Sequence, residues 1–231
     1  MTHQTRFFFG RGAVLAATVR RSLILTAAAV ATTLLSSVAL ADEGFVSLFD
    51  GKTLAGWTTV ASKAGNWSVR DGEVVVKGEG GGWLSTDKVY GDFDFKVDYK
   101  VGPAGNSGVF IRAPRMGDPA YTGMEIQLLD DEAPVYDQIK PYQHTGSVYG
   151  IVAAKRGHNK PLGEWNTIEV IAHGAKVKVI LNGTVITEAD LSEHDDAVKV
   201  HPGIKRTEGY IGLQSHSEEV HFRNAMVKEL K

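Results

Sequence analysis

Asp92-Phe93-Asp94-Phe95-Lys96-Val97-Asp98-Tyr99-Lys100 alternates charged and apolar residues without a fault. A strand sends successive side chains to opposite faces, so Phe93, Phe95, Val97 and Tyr99 share one face and the five charged residues share the other. Such a segment is a half-buried β-strand that needs a second layer over its aromatic face. Outward from it, strand signals dominate. Trp67 to Lys77 reads as a hairpin turning at Asp71-Gly72, and Trp165 to Ala172 with Lys176 to Leu181 as another around His173-Gly174. Asn182-Gly183 turns the chain into Thr184 to Thr187, and Tyr210 to His216 with Val220 to Lys228 reads as a closing hairpin. Helical pattern is scarce: Ala133 to Lys140 and Ala189 to His194 suit short helical turns. Many strands at short spacing with glycine-rich turns predict an all-β sandwich or barrel.

A second stretch, Gly123-Met124-Glu125-Ile126-Gln127-Leu128-Leu129-Asp130-Asp131, carries the chemistry. Met124, Ile126 and Leu128 point one way and Glu125 and Gln127 the other. Asp130 is off the strict period. A β-bulge near Leu128 or Leu129 would bring its carboxylate back beside Glu125 and Gln127. Glu-x-Gln-x-x-Asp on a sheet face is a pattern of carbohydrate sites, and its plain alternative is a solvated strand face with an acidic turn.

The first 41 residues read as an export signal: Arg6, Arg11, Arg20 and Arg21 without an acid, an apolar run from Leu23 to Leu40, and Ala39-Leu40-Ala41 as a small-residue cleavage site. Arg20-Arg21-Ser22-Leu23-Ile24 fits a twin-arginine pattern loosely. The expectation is a periplasmic or secreted protein with one domain over residues 42–231. Removing those four arginines moves the formal charge from −2 to −6, which favours neither nucleic acid nor an anionic membrane surface as partner. There is no cysteine, hence no disulfide, thiolate site, thiol nucleophile or lipid attachment point.

Phe45-Val46-Ser47-Leu48-Phe49-Asp50-Gly51-Lys52-Thr53-Leu54 with Gly56-Trp57 resembles the opening of the 3-keto-disaccharide hydrolase domain family. The resemblance continues through Gly105 to Arg112, Gly123 to Asp131, Thr145 to Gly150, Gly163 to Asn166, Gly212 to His216 and Val220 to Asn224. It implies a concanavalin A-like jelly roll of two antiparallel sheets packed face to face. It also implies cleavage of glycosides already oxidised to a ketone at carbon 3. Ser217 stands where the family pattern leads one to expect glycine after the histidine, a departure that bears on the loop beside the site.

Within that frame Glu125, Asp130 and His144 form the candidate acid–base set. Arg112, Gln127, Tyr149, Gln214 and His216 are candidates for binding substrate or stabilising an oxyanion. Trp83, next to Gly80-Gly81-Gly82, is the candidate exposed platform for a sugar ring. Glu125, Asp130, His144 and His216 also offer oxygen and imidazole donors for a divalent metal, though no two lie at the tight spacing of a zinc motif. His158, His173, His194, His201 and His221 read as surface or turn residues. Two other activities fit a sandwich with a polar groove: a laminarinase-type glycosidase using two carboxylates on unoxidised glycans, and a non-catalytic sugar-binding module.

Overall fold

The alternation of residues 92–100 becomes β6 (Phe93–Val101), whose buried and half-buried residues strictly alternate. β6 belongs to a computed structural model that describes residues 44–231, so the expected export signal lies outside the described residues. Its neighbours are β9 (Asn166–His173) on one side and β13 (Val220–Glu229) on the other. Beyond β9 come β10 (Lys176–Leu181) and β11 (Thr184–Asp190); beyond β13 come β4 (Glu73–Val76) and β3 (Trp67–Arg70). A two-residue strand, β1 (Val46–Ser47), pairs with the end of β13 and completes an eight-stranded sheet. The second sheet has five strands in the order β2 (Trp57–Val60), β5 (Trp83–Tyr90), β12 (Gly209–Gln214), β7 (Asn106–Ala113) and β8 (Met124–Leu129). Every pairing is antiparallel.

The two sheets share one core. Phe93, Phe95, Val97 and Tyr99 lie in the same buried cluster as Val109, Ile111, Met124, Ile126, Leu128 and Leu213 of the five-stranded sheet. Each such side chain contributes about 1.5–3 kcal/mol on burial, which has to suffice because no disulfide is available. The one polar tip in this row is satisfied: Tyr99 Oη donates to Asn159 Oδ1 at 3.0 Å. This is the expected two-sheet jelly-roll sandwich. Among the described residues no helix is long and apolar enough to cross a membrane.

The hairpins at Asp71-Gly72, His173-Gly174 and Asn182-Gly183 form as expected, and 3-10 turns occupy Pro134–Tyr136 and Leu191–Glu193. The closing hairpin does not form. β12 pairs with β5 and β7, β13 with β6, β4 and β1, so residues 215–219 carry the chain from one sheet to the other. Local alternation marks both strands equally well and says nothing about which sheet each joins.

The bulge expected near Leu128 is also absent, because β7 and β8 pair without a shift from Ile111↔Met124 to Asn106↔Leu129. The irregularity sits in β7 instead. Tyr210 faces Ala113 while Gly212 faces Phe110, so Ile111 and Arg112 oppose the single residue Ile211. Arg112 has φ of +49° there.

Candidate active site

The outer face of the five-stranded sheet holds the site. With Met124, Ile126 and Leu128 in the core, Glu125 and Gln127 project outward beside β7. Gly108 faces Gln127 across the pair, and Phe110 faces Glu125. The glycine opens a hole in the row of side chains, and the Glu125 carboxylate leans into it. Gln214 at the end of β12, Asn106 at the start of β7 and His216 just past β12 surround the resulting pocket of about 240 Å³.

Two loop elements close it. Asp118-Pro119 starts a one-turn helix, α1 (Pro119–Thr122): Asp118 Oδ1 accepts the Ala120 N–H at 3.0 Å, and proline takes the first helical position. The helix places Ala120 and Tyr121 in the wall with the exposed Asp118 carboxylate at the mouth. On the far side, residues 146–149 run along the free edge of β8. The Tyr149 N–H donates to the Glu125 carbonyl at 2.9 Å and Gln127 N–H to the Ser147 carbonyl at 3.1 Å. This run covers an edge that would otherwise expose unpaired backbone and fixes Tyr149 beside Glu125. Gln143 Nε2 donates to the Tyr149 hydroxyl at 2.9 Å and holds the ring in place.

Glu125 is 3% exposed. Burial pushes its carboxyl up to about 8, and the negative charge of Asp118 adds to the shift, against a hydrogen bond from the Gln214 side chain. The residue is therefore a neutral acid at pH 7. Among the described residues five buried side-chain polar atoms have no hydrogen-bond partner, and three of them, Asn106 Oδ1, Glu125 Oε1 and Gln214 Oε1, belong to residues lining this pocket. A buried polar atom without a partner costs about 1–3 kcal/mol, so three in one small pocket point to a ligand carrying several hydroxyl donors. A larger cleft of about 380 Å³ beside Asp130 and Asp131 contains none.

Of the residues singled out in the sequence, Glu125, Gln127, Tyr149, Gln214 and His216 are brought together here, and four are placed elsewhere. Asp130 follows the end of β8, and its Oδ2 accepts the Ala104 N–H at 2.9 Å, closing the turn before β7. His144 is buried with its Nδ1 3.1 Å from Asp131 Oδ1. The same Asp131 carboxylate also accepts from Thr145 N–H and Asn159 Nδ2, a saturated structural cluster. Trp83 is 2% exposed and meets Phe110 edge to face at 5.6 Å, so it supports the sheet face rather than offering a platform.

Arg112, which a period of two from Gly108 and Phe110 would aim into the pocket, is turned aside by the bulge and is 1% exposed. It donates to the carbonyls of Gly91, Gly174 and Arg206 and to Asp92 Oδ1 at 2.8 Å, joining turns at one end of the sandwich. The four suggested metal donors are likewise divided: Glu125 and His216 line the pocket, Asp130 and His144 do not. Among the described residues no group of three His, Asp or Glu side chains is placed to hold a metal ion.

The sequence reading missed Asn106, Asp118 and Tyr121. Asp118-Pro119 was a readable signal, an N-cap followed by proline, although nothing local said that its helix would lie over the sheet.

The sequence profile of the 3-keto-alpha-glucoside-1,2-lyase-like domain matches residues 44–228, essentially all of the sandwich. The chain belongs to this family. A curated relative from Bacteroides thetaiotaomicron named 3-keto-disaccharide hydrolase is 27% identical over 232 residues, covering 81% of this chain and 79% of the relative. A crystal structure from Parabacteroides distasonis, provisionally described as a glycosyl hydrolase, is 29% identical with a TM-score of 0.72 and covers 82% of this chain and 95% of its own. A carbohydrate-binding module from Bacillus subtilis superposes with a TM-score of 0.53 at 17% identity, over 75% of this chain and 95% of the module, which speaks for the shared fold alone.

Proposed function

We propose that this protein is an exported hydrolase of 3-keto-glycosides that works by elimination and hydration. The observation that carries the reading is the Glu125 carboxyl, buried beside two orphaned amide oxygens in a pocket with a second carboxylate, Asp118, at its mouth. The names of the relatives agree with a glycoside hydrolase.

A ketone at carbon 3 acidifies the hydrogen on carbon 2. In this scheme Asp118 takes that proton, and the electron pair of the broken C–H bond becomes an enolate on carbons 2 and 3. The enolate reforms the ketone, makes a double bond between carbons 1 and 2, and expels the sugar oxygen on carbon 1. Glu125 supplies the proton that this oxygen takes as it leaves. Water then adds hydroxide to carbon 1 and a proton to carbon 2, giving net hydrolysis. Asn106 and Gln214 accept hydrogen bonds from ring hydroxyls, and the Tyr149 phenol and the Gln127 amide complete the polar wall.

Direct displacement fits less well. A nucleophilic carboxylate has to be ionised, and Glu125 is neutral at pH 7. The next outward position on β8 is Gln127, an amide, where a laminarinase-type pair would place another acid. A purely binding module needs no acid–base pair, whereas this pocket is lined by two carboxyl groups, Asp118 and Glu125. Incubation with a 3-keto-disaccharide and with the same sugar unoxidised separates the readings. Cleavage of only the oxidised sugar is the expected result. Cleavage of the unoxidised sugar would favour displacement, and cleavage of neither would favour a binding role.

A further inference from the structure

Beside the carboxylate pocket, sharing Tyr121 and Tyr149 with it, lies a second cleft of about 430 Å³ that none of the roles above occupies. We infer that this cleft seats the second sugar ring of the substrate, the one released when the glycosidic bond breaks. The inference rests on the 3-keto-glycoside reading and adds where the rest of the molecule lies.

Tyr121 and Tyr149 line both spaces, with their rings edge to face at 6.4 Å and 89°. A ring whose carbon 1 lies near Glu125 can send its substituent past this shared wall. Beyond the wall the aromatic surface goes on. His201 stacks on Tyr121 at 4.9 Å and 25°, and it approaches the chain at Gly150, where a Cβ would fall 2.4 Å from His201 Nε2. The same cleft is lined by Tyr142, 38% exposed, and Val200, 60% exposed, whose apolar surface is left in solvent. A pyranose has this same division, apolar C–H faces with hydroxyls around the edge, and aromatic rims suit such rings.

Polar groups stand where those hydroxyls would come. His201 is 5% exposed and its Nδ1 is a fourth of the five orphaned buried atoms. Burial lowers its pKa and so disfavours the imidazolium, and Nδ1 has no protein partner and is left to pair with a hydroxyl. Asp196 adds a carboxylate acceptor in the same cleft. Four of the five unpartnered buried polar atoms among the described residues thus belong to two adjoining spaces, one for each ring of a disaccharide.

The test compares maltose oxidised at carbon 3 of its non-reducing ring with methyl 3-keto-α-glucopyranoside, which lacks the second ring. The 3-10 turn holding Tyr142 has no buried residue, so Tyr142→Ala should fold as the wild type does, checked by its circular dichroism. The ratio of kcat/KM for the disaccharide over the methyl glycoside is expected to fall about tenfold in Tyr142→Ala, the scale of one lost ring contact. In Tyr142→Phe it should stay within about twofold, since the ring is kept. An unchanged ratio, or an equal loss on both substrates, would overturn the second-ring assignment while leaving the reaction standing. Cleavage of neither sugar by the wild type would overturn the reaction, and the assignment with it.

Discussion

The Glu125 carboxylate stands where a side chain at residue 108 would stand: a Cβ on Gly108 would lie 2.3 Å from Glu125 Oε1. The backbone at 108 is not in the left-handed region, so alanine suits the strand, but its Cβ would also lie 2.8 Å from Glu125 Cγ and 2.9 Å from Cδ, so the whole buried side chain has to shift. Gly108→Ala should therefore keep the fold and displace the acid. A loss of about 100-fold in kcat/KM is expected, with folding kept and stability lowered by the roughly 1–3 kcal/mol of an overpacked site. Near wild-type turnover would show that the position of this carboxyl does not matter.

Glu125→Gln should lower turnover about 100-fold or more, the usual cost of losing one acid–base group. Its effect on stability depends on pH in a defined direction. The folded pKa is raised from 4.5 to about 8, so between those values the native state keeps a proton that the unfolded chain has lost. Burying Glu125 thus costs stability increasingly as pH rises through that window, and the amide removes the cost. Melting at pH 5 and pH 8 should show the variant gaining on the wild type at the higher pH. A constant difference would mean that Glu125 is ionised in the fold. In the wild type, kcat/KM should fall as pH rises past about 8, because a deprotonated Glu125 has no proton for the leaving oxygen; a rise there would make it the base.

Asp118→Asn and Asp130→Asn form a paired test. Asparagine caps a helix as well as aspartate does, so the first change spares α1 while removing the carboxylate assigned as base. It should cost about 100-fold in turnover. Asp130 holds the Ala104 N–H outside the pocket, and its amide variant should turn over substrate as the wild type does. The reverse outcome would return the acid–base role to Asp130.

Arg112→Met should act on stability. The change leaves Asp92 and three backbone carbonyls short of a donor in a tight corner, at a cost of about 3 kcal/mol. Thermal unfolding should shift clearly downward, with KM unchanged in the molecules that remain folded. A large rise in KM with wild-type melting would place Arg112 on the substrate after all.

Much of the fold was legible because its signals are periodic and local. The alternation at 92–100 and at 123–129, together with glycine-marked turns, gave the strands and the outward face of Glu125 and Gln127. What failed was what depends on pairing. Nothing in Tyr210–His216 and Val220–Lys228 tells that the two strands go to different sheets. The bulge was expected in β8 to rescue Asp130, whereas the register shift occurs in β7 and turns Arg112 away. Asp118, Tyr121 and His201 reach their places through loops and short helices, whose position over a sheet is set by tertiary packing. His201, which the sequence suggests is a surface or turn residue, is buried against Tyr121 for that reason.

The central claim is that the carbon 2 hydrogen leaves during turnover, and isotope exchange measures this most directly. The 3-keto-glycoside is hydrolysed in heavy water and the 3-keto-sugar product is sampled early, beside the free 3-keto-sugar without enzyme to correct for slow enolisation. Elimination predicts deuterium at carbon 2 of the product above that control, and slower turnover of substrate deuterated at carbon 2. Product without excess deuterium, together with no isotope effect on the labelled substrate, would contradict the mechanism and leave displacement at carbon 1 in its place.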